Sequence, residues 1–187
     1  MRTGVGHLAL VDADRVCPSN VNRQLMATSR TLGEPKVEAL ARRLGEINPA
    51  AAVTTVMGVY SADTAATFKL EEYDYVIDAI DSVADKAHLI RHALSISSVT
   101  LFSSMGAARK IDPFRIRTSE FWKVQGDGLA RALRTRFRKS GEFPARKFTC
   151  VWSDEPPRAD AGTVMHVTAA FGLALASLVV RAVCAKS

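Results

Sequence analysis

The chain has 187 residues, 48% of them hydrophobic, enough apolar material for one core and too much for global disorder. Lys and Arg number 25 against 19 Asp and Glu, a net charge of +6, which suits an anionic partner. The three cysteines, Cys17, Cys150 and Cys184, form no CxxC pair, which excludes a cysteine-rich zinc site and fits a reducing, cytoplasmic setting.

The opening "MRTGVGHLALVDAD" has neither a long apolar core nor a small-residue cleavage site, so no secretory signal is expected. Arg2-Thr3-Gly4 reads as a helix end with its C′ glycine. A doubly wound domain starts with a strand, a glycine-rich turn and a helix. That first strand and Gly-rich loop are therefore expected to lie outside this sequence. His7–Val11 is short and apolar, which predicts a buried parallel strand. Val37, Leu40, Ala41, Leu44 and Ile47 have helical spacing, predicting a helix over Pro35–Ile47. Asn48-Pro49 makes a loop, Val53–Met57 a strand, and Asp63 caps a helix running to about Leu70. "YDYVIDAIDS" is a strand ending in acids, Val83–Ser95 a helix and "SVTLFSS" a strand. This rhythm predicts βα units and a parallel sheet.

The texture changes at Gly106. "ARKIDPFRIRTSEFWK" predicts a strand pair around Pro113, Leu129–Lys139 a basic helix, and "KFTCVWSDEPP" a strand stopped by two prolines. "EPPRADAGTVM" then joins strand to helix abruptly, where a longer crossover is expected. "VMHVTAAFGLALASLVVRAV" approaches bilayer-spanning length, but His166, Thr168, Ser177 and Arg181 interrupt it. A buried or dimer-interface helix, not a membrane span, is expected. The whole reads as an α/β fold: a doubly wound, Rossmann-like, mostly parallel sheet with helices on both faces. Residues 1–105 form the nucleotide-binding part, and 106–187 carry the basic segment and final helix.

Two strands end in carboxylates, "LALVDAD" and "YVIDAID". In open parallel sheets, ligands sit beyond the carboxyl ends of the strands. Asp12 is placed to take a ribose hydroxyl pair; the alternative is a capping aspartate in a turn. Arg23 and Lys36 offer a planar fork and a point charge to phosphates, and are otherwise solvated cations. Asp78 and Asp81 suit a magnesium ion shared with phosphates, or either one caps the helix at Val83. Arg131, Arg134, Arg136, Arg138 and Lys139, with Arg146 and Lys147 beyond and Phe137, Phe143 and Phe148 interleaved, form either a nucleic-acid footprint or a solvated face with its aromatics turned inward. No histidine adjoins Cys17 or Cys150, so both are expected to be inert buried thiols.

"DADRVCPSNVNRQ", "GEPKVEALARRLGEINP" and "YDYVIDAIDSVADKAHLI", in that order, resemble the ubiquitin-activating-enzyme-like (ThiF/MoeB/HesA) adenylating superfamily. The resemblance runs from about Gly4 to Met105. "GAARKIDPFRIRTSEFWKVQGDGLARALRTRFRK" and "FTCVWSDEPP" are similar to its tRNA threonylcarbamoyladenosine dehydratase branch. That resemblance implies an ATP- and Mg2+-dependent enzyme that adenylates and cyclises N6-threonylcarbamoyladenosine at position 37 of tRNA. It implies Asp12 at the ATP ribose, Asn20, Arg23 and Lys36 at the phosphates, Asp14 and Gln24 beside them, and Asp81 at the magnesium ion. Arg23, Lys36 and Asp81 would carry the catalysis, and Arg131, Arg134, Arg136, Arg138 and Lys139 would contact tRNA. A homodimer and a sulfur-relay protein partner are further implications. Two alternatives stand: an adenylating activator of a ubiquitin-like sulfur carrier, whose paired zinc cysteines this chain lacks, and a nicotinamide oxidoreductase, against which Arg23 and Lys36 argue.

Overall fold

The alternation of short apolar runs with helical periodicity is realised as six strands, β1–β6, and four helices, α1–α4, in a computed structural model describing residues 1–185. The chain divides into two compact units, Met1–Tyr60 and Ser61–Ser187.

In the first unit, β1 (His7–Val11) pairs in parallel with β2 (Ala52–Val56), His7 opposite Ala52 and Val11 opposite Val56. Parallel neighbours need a crossover, and α1 (Lys36–Ile47) supplies it, starting after Pro35. It buries Val37 and Ala39, leaves Leu40, Ala41, Leu44 and Ile47 half-buried, and sets Ala39 against Val16 and Ala27 in a small core. The parallel pairing is as expected, but β1 is half-buried with exposed ends. Among the described residues each strand of this two-stranded sheet has one ladder neighbour.

In the second unit the strand order is β3-β4-β6-β5. β3 (Tyr75–Asp78), β4 (Thr100–Ser104) and β6 (Thr149–Ser153) run parallel, and β5 (Ile116–Glu120) adds an antiparallel edge. Neighbouring residues on a strand face opposite sides, and β4 shows what covers each. Phe102 packs with Val151 under Val167, Phe171 and Leu175 of α4 (Met165–Cys184). Ser103 joins a buried polar network with Lys86 of α2 (Val83–Ser95). Helices therefore cover both faces of a mostly parallel sheet, the expected fold class. The third helix, α3 (Gly128–Ser140), starts at Asp127, whose side chain caps Ala130 N–H at 2.9 Å, and ends at Gly141 with φ of 72°.

Two expectations fail locally. Between Asp63 and Leu70 there is no single helix: two 3-10 turns, Ala65–Phe68 and Leu70–Glu72, flank Lys69 at φ of 43°. A left-handed residue breaks an α-helical ladder, and short 3-10 turns fit around it. The segment around Pro113 forms no strand pair with itself. Pro113–Arg115 is a 3-10 turn and β5 pairs with β6 instead, because the antiparallel ladder to β6 satisfies the backbone of Ile116–Glu120.

By length and composition α4 is apolar enough to cross a membrane. In this fold one face lies on the sheet through Val167, Phe171 and Leu175, while Leu173, Val180 and Val183 are exposed. The buried alternative of the buried or dimer-interface helix expected here therefore holds for its sheet-facing side.

Candidate active site

At the carboxyl end of β1 the chain turns on its own side chain. Asp12 Oδ1 accepts the Asp14 N–H at 2.8 Å, an Asx turn that explains an acid at this position. Lys36, first residue of α1, is tied back by its N–H to the Asp14 carbonyl at 3.0 Å. Its ammonium lies 2.6 Å from Asp14 Oδ2 and 3.8 Å from Asp12 Oδ2. The lysine side chain is 9% exposed, against 42% for Asp12 and 70% for Asp14. A buried ammonium beside two solvent-facing carboxylates thus forms a polar floor at a strand end.

The loop beyond is built around Asn20. This buried residue accepts the Cys17 N–H on Oδ1 at 3.2 Å and shapes the 3-10 turn Pro18–Asn20. Arg23 and Gln24 follow, their N–H groups donating to the Asn20 carbonyl at 3.0 and 2.9 Å. Arg23 Nη1 donates to the Ser19 carbonyl and to Asn22 Oδ1. Gln24 Oε1 is buried without a hydrogen-bond partner among the described residues.

Cys17, expected to be buried, is exposed. The Ser19 hydroxyl at 3.1 Å holds its thiol below the usual range. Proline at the next position starts a surface turn, and a residue preceding that turn has no core to enter. Cys150 is buried as expected, and burial pushes its thiol up.

The second acidic strand end lies in the second unit, and its two aspartates part company. Asp78 is fully buried: Lys86 Nζ donates to its Oδ2 at 2.7 Å and Ser103 Oγ at 2.5 Å, while its Oδ1 accepts the Ile80 N–H at 3.0 Å. It is a structural carboxylate, not an available metal ligand. Asp81 is exposed three residues later. Neither aspartate caps α2; Ser82 does, accepting the Asp85 N–H at 3.5 Å. Among the described residues no three His, Cys, Asp or Glu side chains cluster for a metal ion. A magnesium ion held by one carboxylate together with phosphate and water oxygens needs no such cluster, so Asp81 fits that role.

Sequence reasoning missed Lys86 and the groups that order the loop after β4. A lysine four residues before Ile90, inside the buried stripe of α2, was the available signal. Lys110 donates to Asp127 Oδ2 at 3.3 Å and to the Ser153 carbonyl at 2.8 Å. Asp127 Oδ2 also accepts the Gly106 N–H at 3.1 Å. The Glu155 carboxylate accepts the Ile111 and Asp112 N–H groups at 3.0 Å. Burial works to raise this carboxyl, but those amides, Arg115 and Lys110 outweigh it and leave it below its ordinary value.

The basic helix divides by burial. Arg131, Arg136, Arg138 and Lys139 are exposed. Arg134 is turned inward: it donates to the Phe121 and Val124 carbonyls at 3.3 and 3.0 Å and lies 5.7 Å over the Phe121 ring. Arg146 reaches the carbonyls of Leu94, Ile96, Ser97 and Val99, closing the C-terminal end of α2, where unpaired carbonyls accumulate. Phe137 and Phe148 are core, Phe148 stacked on Phe121 and Phe137 edge-on to it, whereas Phe143 is exposed beside Trp122.

The chain is thus an α/β protein with acids at the ends of two parallel strands and a buried lysine beside the first of them. The ThiF family model matches residues 1–186, and the chain belongs to that family. It is similar to the tRNA threonylcarbamoyladenosine dehydratase of Bacillus subtilis (strain 168), 40% identical over 156 residues, 83% of this chain and 60% of that protein. The protein of the same name from Escherichia coli (strain K12) is 38% identical over 178 residues, 90% of this chain and 65% of that one. The chain thus spans 60% and 65% of the length of these two relatives. Among solved structures, E. coli tRNA N6-threonylcarbamoyladenosine dehydratase, TcdA, in complex with ATP superposes with a TM-score of 0.90 at 35% identity, covering 98% of this chain and 78% of that one.

Proposed function

We propose that this chain carries the core of an ATP-dependent enzyme that adenylates and cyclises N6-threonylcarbamoyladenosine at position 37 of tRNA. The single observation that carries this reading is the Lys36 ammonium, held at the end of β1 by Asp14 at 2.6 Å. A lysine so placed gives a phosphate chain a fixed, poorly hydrated charge, which is worth more than a mobile surface one. The names of the relatives supply the substrate, and the ATP complex of TcdA supports the nucleotide.

Each residue has a task in this reading. Asp12, with Oδ1 engaged by the Asp14 amide, presents Oδ2 to ribose hydroxyls. Arg23 and Lys36 bind phosphates, and their charge stabilises pyrophosphate as it leaves. Asn20 shapes the loop, with Asp14 orienting Lys36 and Gln24 completing the loop floor. Asp81 takes Mg2+, which neutralises phosphate charge when bound. ATP supplies the adenylyl group that makes the threonyl carboxylate a good electrophile for the carbamoyl group.

Arg131, Arg136, Arg138 and Lys139 form the tRNA-facing surface, with Arg134 beneath it as a structural support. The exposed Leu173, Val180 and Val183 of α4 favour a homodimer as the working form. A sulfur-relay protein remains a candidate partner on the resemblance alone. Free thiols at Cys17, Cys150 and Cys184 suit the proposed cytoplasmic setting.

The decisive experiment is AMP release by the intact protein with tRNA bearing threonylcarbamoyladenosine, against a ubiquitin-like carrier ending in Gly-Gly. The reading expects release with the tRNA and conversion of the nucleoside to its cyclic form. Release that depends only on the carrier overturns it.

A further inference from the structure

Ile80, between the two aspartates of "DAID", is held by both of its backbone polar groups. Its N–H donates to Asp78 Oδ1 at 3.0 Å, and its carbonyl accepts from Lys86 Nζ at 3.0 Å. Asp78 and Lys86 pair with each other at 2.7 Å, with both side chains 0% exposed, and Ser103 Oγ fixes Asp78 from β4. One buried ion pair therefore grips the peptide groups on either side of the residue that immediately precedes Asp81.

Such a pair is an expensive way to fill a core. Desolvating two charges costs more than packing apolar side chains of the same volume, so an ion pair kept here points to something that apolar packing does not provide. What it provides is a fixed direction for the chain leaving β3. A single hydrogen bond would leave the Ile80 peptide free to rotate about one contact. Two, from opposite charges anchored on β3 and α2, do not.

We infer that Lys86 and Asp78 are positioning residues: they clamp Ile80 so that the exposed Asp81 carboxylate is presented to a metal-bound phosphate in one orientation. This rests on the role proposed above for Asp81. Neither residue meets the nucleotide; both act through the backbone, as outer-shell partners do at metal sites.

Calorimetry of ATP binding to the full chain, with Mg2+ and then with EDTA, tests this without turnover. Lys86→Met combined with Asp78→Asn removes both charges together. In a cooperatively melting double variant, affinity in EDTA stays within twofold of wild type, while the gain in affinity from Mg2+ falls about tenfold. An undiminished Mg2+ gain in the folded variant overturns the clamp.

Asp81→Asn is measured in parallel. If that variant keeps the full Mg2+ gain, the proposed role of Asp81 fails and the clamp with it. If Asp81→Asn loses the gain and the double variant keeps it, the clamp alone fails. Should the double variant not melt cooperatively, Ser103→Ala carries the test. It lowers the Mg2+ gain about threefold, the value of one hydrogen bond, and has no effect in the Asp81→Asn background. An unchanged gain in Ser103→Ala overturns the clamp.

Discussion

The ammonium of Lys36 lies 2.6 Å from Asp14 Oδ2 although the two residues are 22 apart in sequence. The lysine is buried and the aspartate largely exposed. The charge is thus held at the end of β1 by its acidic neighbours. Lys36→Ala removes it. We expect ATP affinity to fall about 10- to 100-fold, the value of a charge-assisted contact of ~1.5–3 kcal/mol. Calorimetry measures the loss. An affinity within twofold of wild type would take Lys36 out of the site.

Asp12 is expected to read the ribose. A site built to pair with a hydroxyl rejects the analogue lacking it, because its own polar group is left unpaired. Wild type should therefore prefer ATP over 3′-deoxy-ATP by about tenfold or more, and Asp12→Ala should bind both alike. Competition binding decides. Equal preference in wild type contradicts the assignment.

The four exposed cations of α3 and the inward Arg134 should respond differently. Replacing Arg131, Arg136, Arg138 or Lys139 with Ala weakens tRNA binding and lowers the salt slope by about 0.9 per lost phosphate contact. Arg134→Ala instead destabilises the fold by about 1–3 kcal/mol, through two unmade carbonyl bonds and a lost ring contact. Filter binding across a salt series and thermal melts separate the outcomes.

Thiol reactivity should rank the cysteines. The Ser19 hydroxyl beside Cys17 favours its thiolate, whereas burial disfavours that of Cys150. Alkylation at neutral pH, read by mass spectrometry, should label Cys17 in the native protein and Cys150 only after unfolding. Labelling of Cys150 at the Cys17 rate would contradict the burial seen here.

Glu155 should contribute to acid sensitivity. Its folded-state carboxyl lies below the ordinary value of an unfolded glutamate. The stability it contributes is therefore present above that ordinary value and is lost as pH falls through the lowered one. Glu155→Gln should melt lower than wild type near neutral pH, with the gap narrowing on acidification. A gap that stays constant across the carboxylate range would show that Glu155 is not the group responsible.

How much was legible in the sequence depends on how local the signal was. Val83–Ser95 matched its helix to the residue, and His7–Val11 its strand, because apolar periodicity and turn residues act within a few positions along the chain. The strand-ending acids were legible for the same reason. The helix expected from Asp63 was not found, since Lys69 adopts a left-handed conformation that no periodicity encodes.

The sequence by itself determined the α/β class, most element positions, and a short list of acids and cations at the strand ends. Only the tertiary structure decided which of them are available. Asp78 and Asp81 look alike in "DAID", yet Ser103, 25 residues away, and Lys86 consume the first and leave the second exposed. Arg134 is indistinguishable from Arg131 and Arg136 until the Phe121 carbonyl and ring are placed beneath it. The reason is physical: the cost of burying a charge is offset only by partners brought close by the fold, and those partners lie elsewhere in the chain.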